Sequence, residues 1–511
     1  MPYKPSKVFS AAIIGLESKI VEVEADVSVG LNSFQIVGLP GKSIEEAKER
    51  ISSALKNHDF KHPRSFNKRV VINLAPADLK KEGVVYDLPI ALSFLLSSEQ
   101  VRFDPEKYLF VGELSLEGNL RPIKNALSFA LLAREANIKH LVIPAQNLKE
   151  AALVRGINVL GAATLTDLIR LLEHPKLNAA YDKNDEPFMP YVAPDIDMAN
   201  ISGQHNAKRV LEIAAAGGHN VIMQGPPGSG KTILAKALSG ILPQMTREEM
   251  IEVTRIYSTV GKIDPNIPLI TTRPFRSPHH SSSSSAIIGG GSSMNPGEIT
   301  LSHRGVLFLD EFPEFHRDVL EALRQPMESG FISVARARGQ VNFPARFMLV
   351  AAANPCPCGF YNDPEKSCEC YGSTLQRYRR KLSGPIADRI DIHAEVPHQQ
   401  YDVLTSKISG ESSEDIRKRV EKASQIQTRR FNGSNTLNNA TMGIQQIKSY
   451  CDIPLQSEDI LRKAVDKDRI SARGYHKILK IARTIADLES REKIKTSDIA
   501  EAMSYNNSNF G

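Results

Sequence analysis

The sequence predicts an α/β multidomain protein: a strand-and-helix unit first, a parallel-sheet core with a phosphate loop second, and an α-helical unit last. Three observations carry this. At 511 residues the chain exceeds one ordinary core, and about 150 residues per domain gives roughly three units. Gly225 to Thr232 spells a complete G-x-x-x-x-G-K-[ST] loop between an apolar run and a helical pattern, within a region where strand and helix signals alternate. Beyond Pro397 apolar residues recur at i, i+3, i+4 spacing.

Composition, 41% hydrophobic and 24% charged, is that of a globular protein. No apolar run approaches the roughly 20 residues of a membrane span. Met1-Pro2-Tyr3-Lys4-Pro5 lacks a charged-then-apolar leader pattern, so a cytoplasmic location without membrane attachment is expected. The formal charge of +6 suits a polyanion partner and equally an ordinary solvated basic face.

From Lys19 to Gly30, Val21, Val23, Ala25, Val27 and Val29 alternate with Glu22, Glu24, Asp26 and Ser28, which predicts a half-buried strand. Ser43 and Glu46 form a capping-box start, Ile44, Ala47, Ile51 and Leu55 follow at helical spacing, and Val70-Val71-Ile72 reads as the next strand. A helix over about Asn125 to Ala136, a strand over Leu141 to Pro144 and a helix over about Leu165 to Glu173 complete an α/β domain of residues 1–175. Residues 176–200, punctuated by Pro187, Pro190 and Pro194, read as a linker. The nucleotide unit then spans 201–396, with strands at Asn220 to Met223, Val306 to Leu309 and Phe347 to Ala352. Residues 397–511 carry helices at Ser413 to Arg430, Ser457 to Val465, Ala472 to Leu488 and Thr496 to Met503.

The loop Gly225-Pro226-Pro227-Gly228-Ser229-Gly230-Lys231-Thr232 predicts ATP binding. Its glycines let backbone N–H groups turn around phosphate oxygens, Lys231 reaches the β/γ-phosphates and Thr232 holds Mg²⁺. The strand Val306 to Leu309 ends in Asp310 and Glu311, an arrangement that puts one carboxylate on the metal and the next beside the attacking water. A third strand ends in Asn354, whose amide can meet the γ-phosphate or the lytic water. Arg389 and Arg473 are candidates to neutralise transition-state charge, or plain surface ion-pair formers.

Four of the five cysteines, Cys356, Cys358, Cys368 and Cys370, fall in one short loop over 354–372. In a reducing compartment they read either as a tetrahedral Zn²⁺ shell, with C-x-C pairs tighter than the usual knuckle, or as free thiols of a turn-rich loop. Two segments could face DNA. Arg273 to Gly291 holds Arg276, His279, His280, the serines Ser281 to Ser285 and the glycines Gly289 to Gly291, and reads as a phosphate-contacting loop or a low-complexity linker. Gly330 to Phe343 predicts a β-hairpin carrying Arg336 and Arg338, for DNA backbone contact or edge-strand protection. The basic run Arg377, Arg379, Arg380 and Lys381 reads as a contact for DNA or for an adjacent subunit; its closeness to Arg389 favours the subunit interface, with the cysteine loop as a staple that positions it.

Longer stretches are more specific: Gly203-Gln204 with Glu212 to Asn220, Phe275-Arg276-Ser277-Pro278-His279-His280, Pro296-Gly297-Glu298-Ile299, Asn354-Pro355-Cys356-Pro357-Cys358-Gly359, and Leu382 to Pro385 with Asp388-Arg389-Ile390-Asp391. Over nearly the whole chain this set resembles the ComM/YifB family of magnesium-chelatase-like AAA+ ATPases. The resemblance implies that Lys231 and Thr232 are the Walker A pair, Asp310 and Glu311 Walker B, and Asn354 sensor 1. It further implies that Arg389 acts on a neighbouring subunit, that Arg473 is sensor 2 in a helical lid, and that the assembly is a homo-hexameric ring. Family members are associated with branch migration in natural transformation and homologous recombination.

The first domain resembles the Lon-protease-like fold, also found fused to a recombination ATPase. Here Val85 and Leu127 stand where the serine and lysine would be, and Lys124 is out of register, so a non-proteolytic domain is expected. The leading expectation is a hexameric ATP-dependent DNA helicase or translocase acting on single-stranded, forked or branched DNA, alongside recombination proteins. The alternatives are a magnesium-chelatase-like motor subunit and a protein-remodelling ring.

Overall fold

In a computed structural model of the chain the described residues are 5–65, 67–174, 196–291, 294–336, 339–361, 366–382, 386–405, 410–466 and 470–505. They belong to two compact units, Met1–Met189 with Met250–Ile270, and Pro190–Glu249 with Thr271–Gly511. Among the described residues no helix is long and apolar enough to cross a membrane.

In the first unit, β1 (Ser6–Ile14), β2 (Glu17–Val29), β3 (Ser33–Val37), β4 (Lys68–Ala75), β5 (Tyr108–Phe110), β6 (His140–Pro144) and β7 (Asn158–Ala162) form one mixed sheet in the order β3-β4-β2-β1-β5-β6-β7. β2 runs antiparallel to β1 and β4, whereas β5, β6 and β7 run parallel. Alternation along β2 is realised at Val21, Val23, Ala25 and Val27, all buried. Val29, at the strand end, is 92% exposed, because the pattern outruns the surface that covers it.

Helix α1 (Lys42–Asn57) buries the expected stripe of Ile44, Ala47, Ile51 and Leu55. The capping box does not form. Gly41 is the N-cap, and the Ser43 hydroxyl instead donates to the Gly83 carbonyl at 3.2 Å and accepts from the Gly83 N–H at 3.1 Å. A partner forty residues away outcompetes the local one. Helix α2 (Asp87–Ser97), unanticipated, is apolar on almost every side and therefore shows no amphipathic stripe. Its buried Asp87 takes two bonds from Arg50 of α1, at 2.7 and 2.9 Å. Helices α3 (Ala126–Glu135) and α4 (Leu165–Glu173) match expectation.

Residues 250–270, expected within the nucleotide unit, cluster with the first unit. There Arg255 donates to the Leu16 carbonyl at 2.6 and 3.0 Å, and Ser258 donates to the buried Glu150.

The second unit contains β8 (Val221–Gln224), β9 (Phe275–Arg276), β10 (Val306–Leu309), the hairpin strands β11 (Phe331–Arg336) and β12 (Gly339–Pro344), β13 (Met348–Ala353) and β14 (Ile392–Glu395). Five of them form an all-parallel sheet, β9-β10-β13-β8-β14. β10 and β13 are buried at every residue, which is why they read as unbroken apolar runs. Chain order reverses beside β8. The C-terminal ends of β8, β13 and β10 thus frame the crevice in which parallel α/β sheets bind ligands.

Helices α5 (His205–Gly217) and α6 (Lys231–Leu238) belong to the same unit, joined later by α7 (Gly372–Leu382), α8 (Ser413–Arg430) and α9 (Ala472–Leu488). α8 and α9 match their expected spans. One apolar cluster holds Leu211, Met223 and Val350 together with Val420, Ile478 and Ile481, so the C-terminal helices share a core with the sheet instead of forming a core of their own. Of the expected linker, 176–195 lie outside the described residues, and Met198–Asn200 is a short turn with Met198 buried.

Candidate functional site

Residues 225–232 leave β8 and enter α6, with Gly228 at φ +78° and Gly230 at φ +96°, left-handed conformations that side chains disfavour. The Lys231 ammonium is buried. It donates to the Gly225 and Pro226 carbonyls at 2.7 and 2.8 Å and lies 3.4 Å from Ser229 Oγ and 3.3 Å from Asn354 Oδ1. Burial lowers its pKa, with the Asp310 carboxylate opposing that shift. Thr232 Oγ1 donates to Asp310 Oδ2 at 2.8 Å, joining the loop to the end of β10.

Lys231, Asp310, Glu311, Asn354, Cys356 and Tyr378 line one cavity of about 200 Å³. Asn354 reaches it because β13 lies between β8 and β10. Two supports were not singled out from sequence. The Tyr378 hydroxyl donates to the Asn354 carbonyl at 3.0 Å, and burial, aided by Glu314, raises its pKa so that it stays a donor. Gln204 Nε2 donates to the Ser229 carbonyl at 3.0 Å and the Pro397 carbonyl at 2.8 Å, pinning the loop to the segment after β14. Gln204 lay in a recognised stretch, but nothing in its spacing indicates that partner.

Glu311 has φ +50°, a strained value for a non-glycine residue, and its N–H donates to Asp310 Oδ1 at 3.0 Å. Its carboxylate Oε2 lies 3.0 Å from His280 Nδ1. His280, expected on a DNA-facing loop, is thus held at the cavity, with His279 against it at a ring separation of 4.2 Å. Arg276, expected on that same loop, makes a bidentate pair with Glu298 at 2.6 and 2.7 Å. The physical reason is shared: β9 is the edge strand beside β10, so the chain leaving β9 passes the acidic strand end before reaching solvent. Of the expected hairpin, Phe331 to Pro344 pairs in antiparallel register as far as Arg336 and Gly339. Arg338 lies outside the described residues, and only the backbone of Arg336 is described.

Arg389 and Arg473 do not join the cavity. Both lie against Glu328, Arg389 in a close ion pair and Arg473 at 3.9 Å. Arg389 precedes the N-terminal end of β14, whereas the phosphate loop leaves the C-terminal end of β8, its parallel neighbour. At about 3.3 Å per residue, four-residue strands separate those ends by roughly 10–13 Å. Asn220, just before β8, spans three elements: it donates to the Arg389 carbonyl at 3.2 Å, accepts from the Leu349 N–H at 2.8 Å, and its own N–H donates to Asp391 at 3.0 Å.

The sulfurs of Cys356, Cys358, Cys368 and Cys370 all lie within 4.8 Å of one another. Burial pushes the Cys356 thiol up to about 12, while N–H donation from Phe360 and the neighbouring Cys356 bring Cys358 down to about 6. In the basic run after the loop, Arg379 stacks over the Tyr361 ring at 4.6 Å and Lys381 donates to the Pro313 carbonyl at 2.8 Å.

Three family models match the chain: "Subunit ChlI of Mg-chelatase" over residues 23–147, "Magnesium chelatase, subunit ChlI" over 197–404, and "Magnesium chelatase, subunit ChlI C-terminal" over 410–506. The chain is 43% identical to Competence protein ComM of Haemophilus influenzae, covering 98% of this chain and 96% of that protein. It is 40% identical to YifB of Escherichia coli, again over 98% and 96%. Magnesium-chelatase subunit ChlI of Cyanophora paradoxa is a more distant match, 22% identical over 62% of this chain and 88% of its own length. With a relative of that identity matched end to end, and chelatase models over all three regions, the chain belongs to the ComM/YifB family of magnesium-chelatase-like AAA+ ATPases.

Proposed function

We propose that the chain is an ATPase that works as a homo-hexameric ring and uses hydrolysis to move DNA at branched recombination intermediates. The observation that carries this is a divided site. Lys231, Asp310, Glu311 and Asn354 line one cavity, with Thr232 bonded to Asp310, while Arg389 and Arg473 sit together at the opposite strand ends. Two such chains side by side supply both halves.

Thr232 and Asp310 fit Mg²⁺, because their oxygens are 2.8 Å apart and an all-oxygen donor set suits a hard cation. When bound, Mg²⁺ neutralises charge on the β- and γ-phosphates. The loop N–H groups and Lys231 bind the phosphates, with Lys231 exchanging the Gly225 and Pro226 carbonyls for phosphate oxygens. Glu311, aimed by His280, takes the role of base or water-orienting group, and Asn354 marks the γ-phosphate end. Arg389 and Arg473 of the adjacent subunit offset the charge that spreads over the transferred phosphoryl group.

Support for DNA as the track comes from the similarity to a competence protein and from the pairing of the expected hairpin β11–β12 as far as Arg336. The chelatase models favour a second reading, a motor acting on a metal-chelatase partner. Strand separation on a synthetic four-way junction distinguishes them: wild type should resolve it in the presence of ATP, and Lys231→Ala should lose both this and at least about a hundredfold in ATP turnover. An ATPase rate indifferent to every DNA form, but raised by a chelatase partner, would favour the second reading.

His280→Ala should leave ATP affinity within about twofold and lower turnover by about tenfold to a hundredfold, since it alters only where the Glu311 carboxylate points. Equal losses in affinity and turnover would show that His280 serves the fold. For the first unit we propose ring assembly or DNA contact without proteolysis; Leu127, at the position of the expected lysine, is fully buried with its N–H on Glu150 at 3.0 Å.

A further inference from the structure

The cysteine loop leaves the candidate ATP site and returns to it. Asn354 is two residues before Cys356, which is itself buried and lines the cavity with Pro357. The chain then passes the phosphate loop: Gly359, at φ +88°, lies so close to Pro227 that a Cβ there would come within 2.5 Å of the proline ring. After Cys368 and Cys370 the chain enters α7, whose Tyr378 donates back to the Asn354 carbonyl at 3.0 Å. Both limbs of the loop therefore end on Asn354, and its turn abuts the phosphate loop.

The four sulfurs close those limbs on each other. Cys356 and Cys368 Sγ are 3.7 Å apart, Cys358 and Cys368 3.6 Å, and Cys356 and Cys358 3.2 Å. None is in a disulfide. A tetrahedral ion with Zn–S bonds of about 2.3 Å requires sulfurs roughly 3.8 Å apart, so two of these separations already fit and the third needs only a small opening. Four thiolates from two C-x-C pairs select zinc over a hard cation.

We infer that Cys356, Cys358, Cys368 and Cys370 bind a zinc ion that locks Asn354 and the Pro227 flank of the phosphate loop, so that metal loading sets the hydrolytic competence of the ATP site. The coupling rests on the ATP reading of the cavity; the zinc site does not. Zinc here would be a positioning element, bringing nothing to the reacting atoms.

The test uses full-length protein and measures zinc per chain by elemental analysis, binding of a fluorescent ATP analogue and phosphate release. About one zinc per chain is expected for wild type, and both Cys368→Ser and Cys370→Ser, neither of which lines the cavity, should lose it together with about tenfold or more in turnover. Cys368→His, which keeps a zinc ligand, should retain metal and most of the turnover. Stripping zinc from wild type with a thiol reagent, then restoring thiol and metal, should abolish and recover turnover, which guards against variants that merely misfold. Gly359→Ala should keep its zinc yet weaken analogue binding by about tenfold. Wild type with no zinc and four freely titrating thiols overturns the site. Zinc-free protein that hydrolyses ATP at the wild-type rate overturns the coupling. Zinc-loaded wild type that binds no ATP analogue overturns the ATP reading, and with it the coupling, while leaving the zinc site standing.

Discussion

Glu311→Gln should bind ATP with near-native affinity and hydrolyse it at least about a hundredfold more slowly. The amide keeps the size of the side chain but cannot accept a proton from water, and it gives His280 a weaker partner than the carboxylate 3.0 Å away. Nothing that would hold the nucleotide changes, because Lys231 stays on the loop and Thr232 stays bonded to Asp310. Analogue titration and steady-state phosphate release separate the two quantities. If Glu311 and His280 act as a unit, adding His280→Ala to Glu311→Gln should cost almost nothing more. A Gln variant that turns over at the wild-type rate would remove Glu311 from the mechanism.

Arg389→Ala should lower turnover by about a thousandfold, the scale on which arginine fingers act, and leave ATP affinity of the same chain largely intact. Arg389 lies by Glu328, at the strand ends opposite its own phosphate loop, which is the ground for proposing that its charge serves another chain. Mixing supplies the decisive arm. Lys231→Ala chains keep an intact Arg389 and Arg389→Ala chains keep an intact phosphate loop, so a mixture of two inactive variants should recover part of the turnover. No recovery from mixed rings of proven composition would place the arginine in its own subunit's site. Asn220→Ala should produce a smaller loss of the same kind, because its amide holds the Arg389 carbonyl while its backbone starts the strand that carries the phosphate loop. That one residue links the strand that carries the phosphate loop to the arginine proposed to serve the neighbouring site.

The phosphate loop, the acidic strand, the Asn354 strand and the long C-terminal helices were legible residue by residue. Each is announced by a short-range pattern: a glycine spacing, an unbroken apolar run in a sheet covered on both faces, or a stripe at i, i+3, i+4. Helix α2 escaped because a helix buried all round carries no stripe. Ser43 misled because a hydroxyl's local cap and its distant Gly83 partner look alike in one dimension. In the His-His segment the serines and glycines suggested a phosphate-contacting loop, and only the fold shows that β9 delivers His280 to Glu311.

Local pattern, then, settled which elements form and which side chains are the candidates for phosphate and metal chemistry, since those depend on neighbours a few residues apart. Which groups meet across the sheet was set by packing. Strand order brought Asn354 between the phosphate loop and Asp310, kept Arg389 and Arg473 at the far end on Glu328, and folded the cysteine loop back through Gly359 and Tyr378. Contacts of that kind join residues tens to hundreds of positions apart, and they exist only once a common core has fixed the register of the strands that carry them.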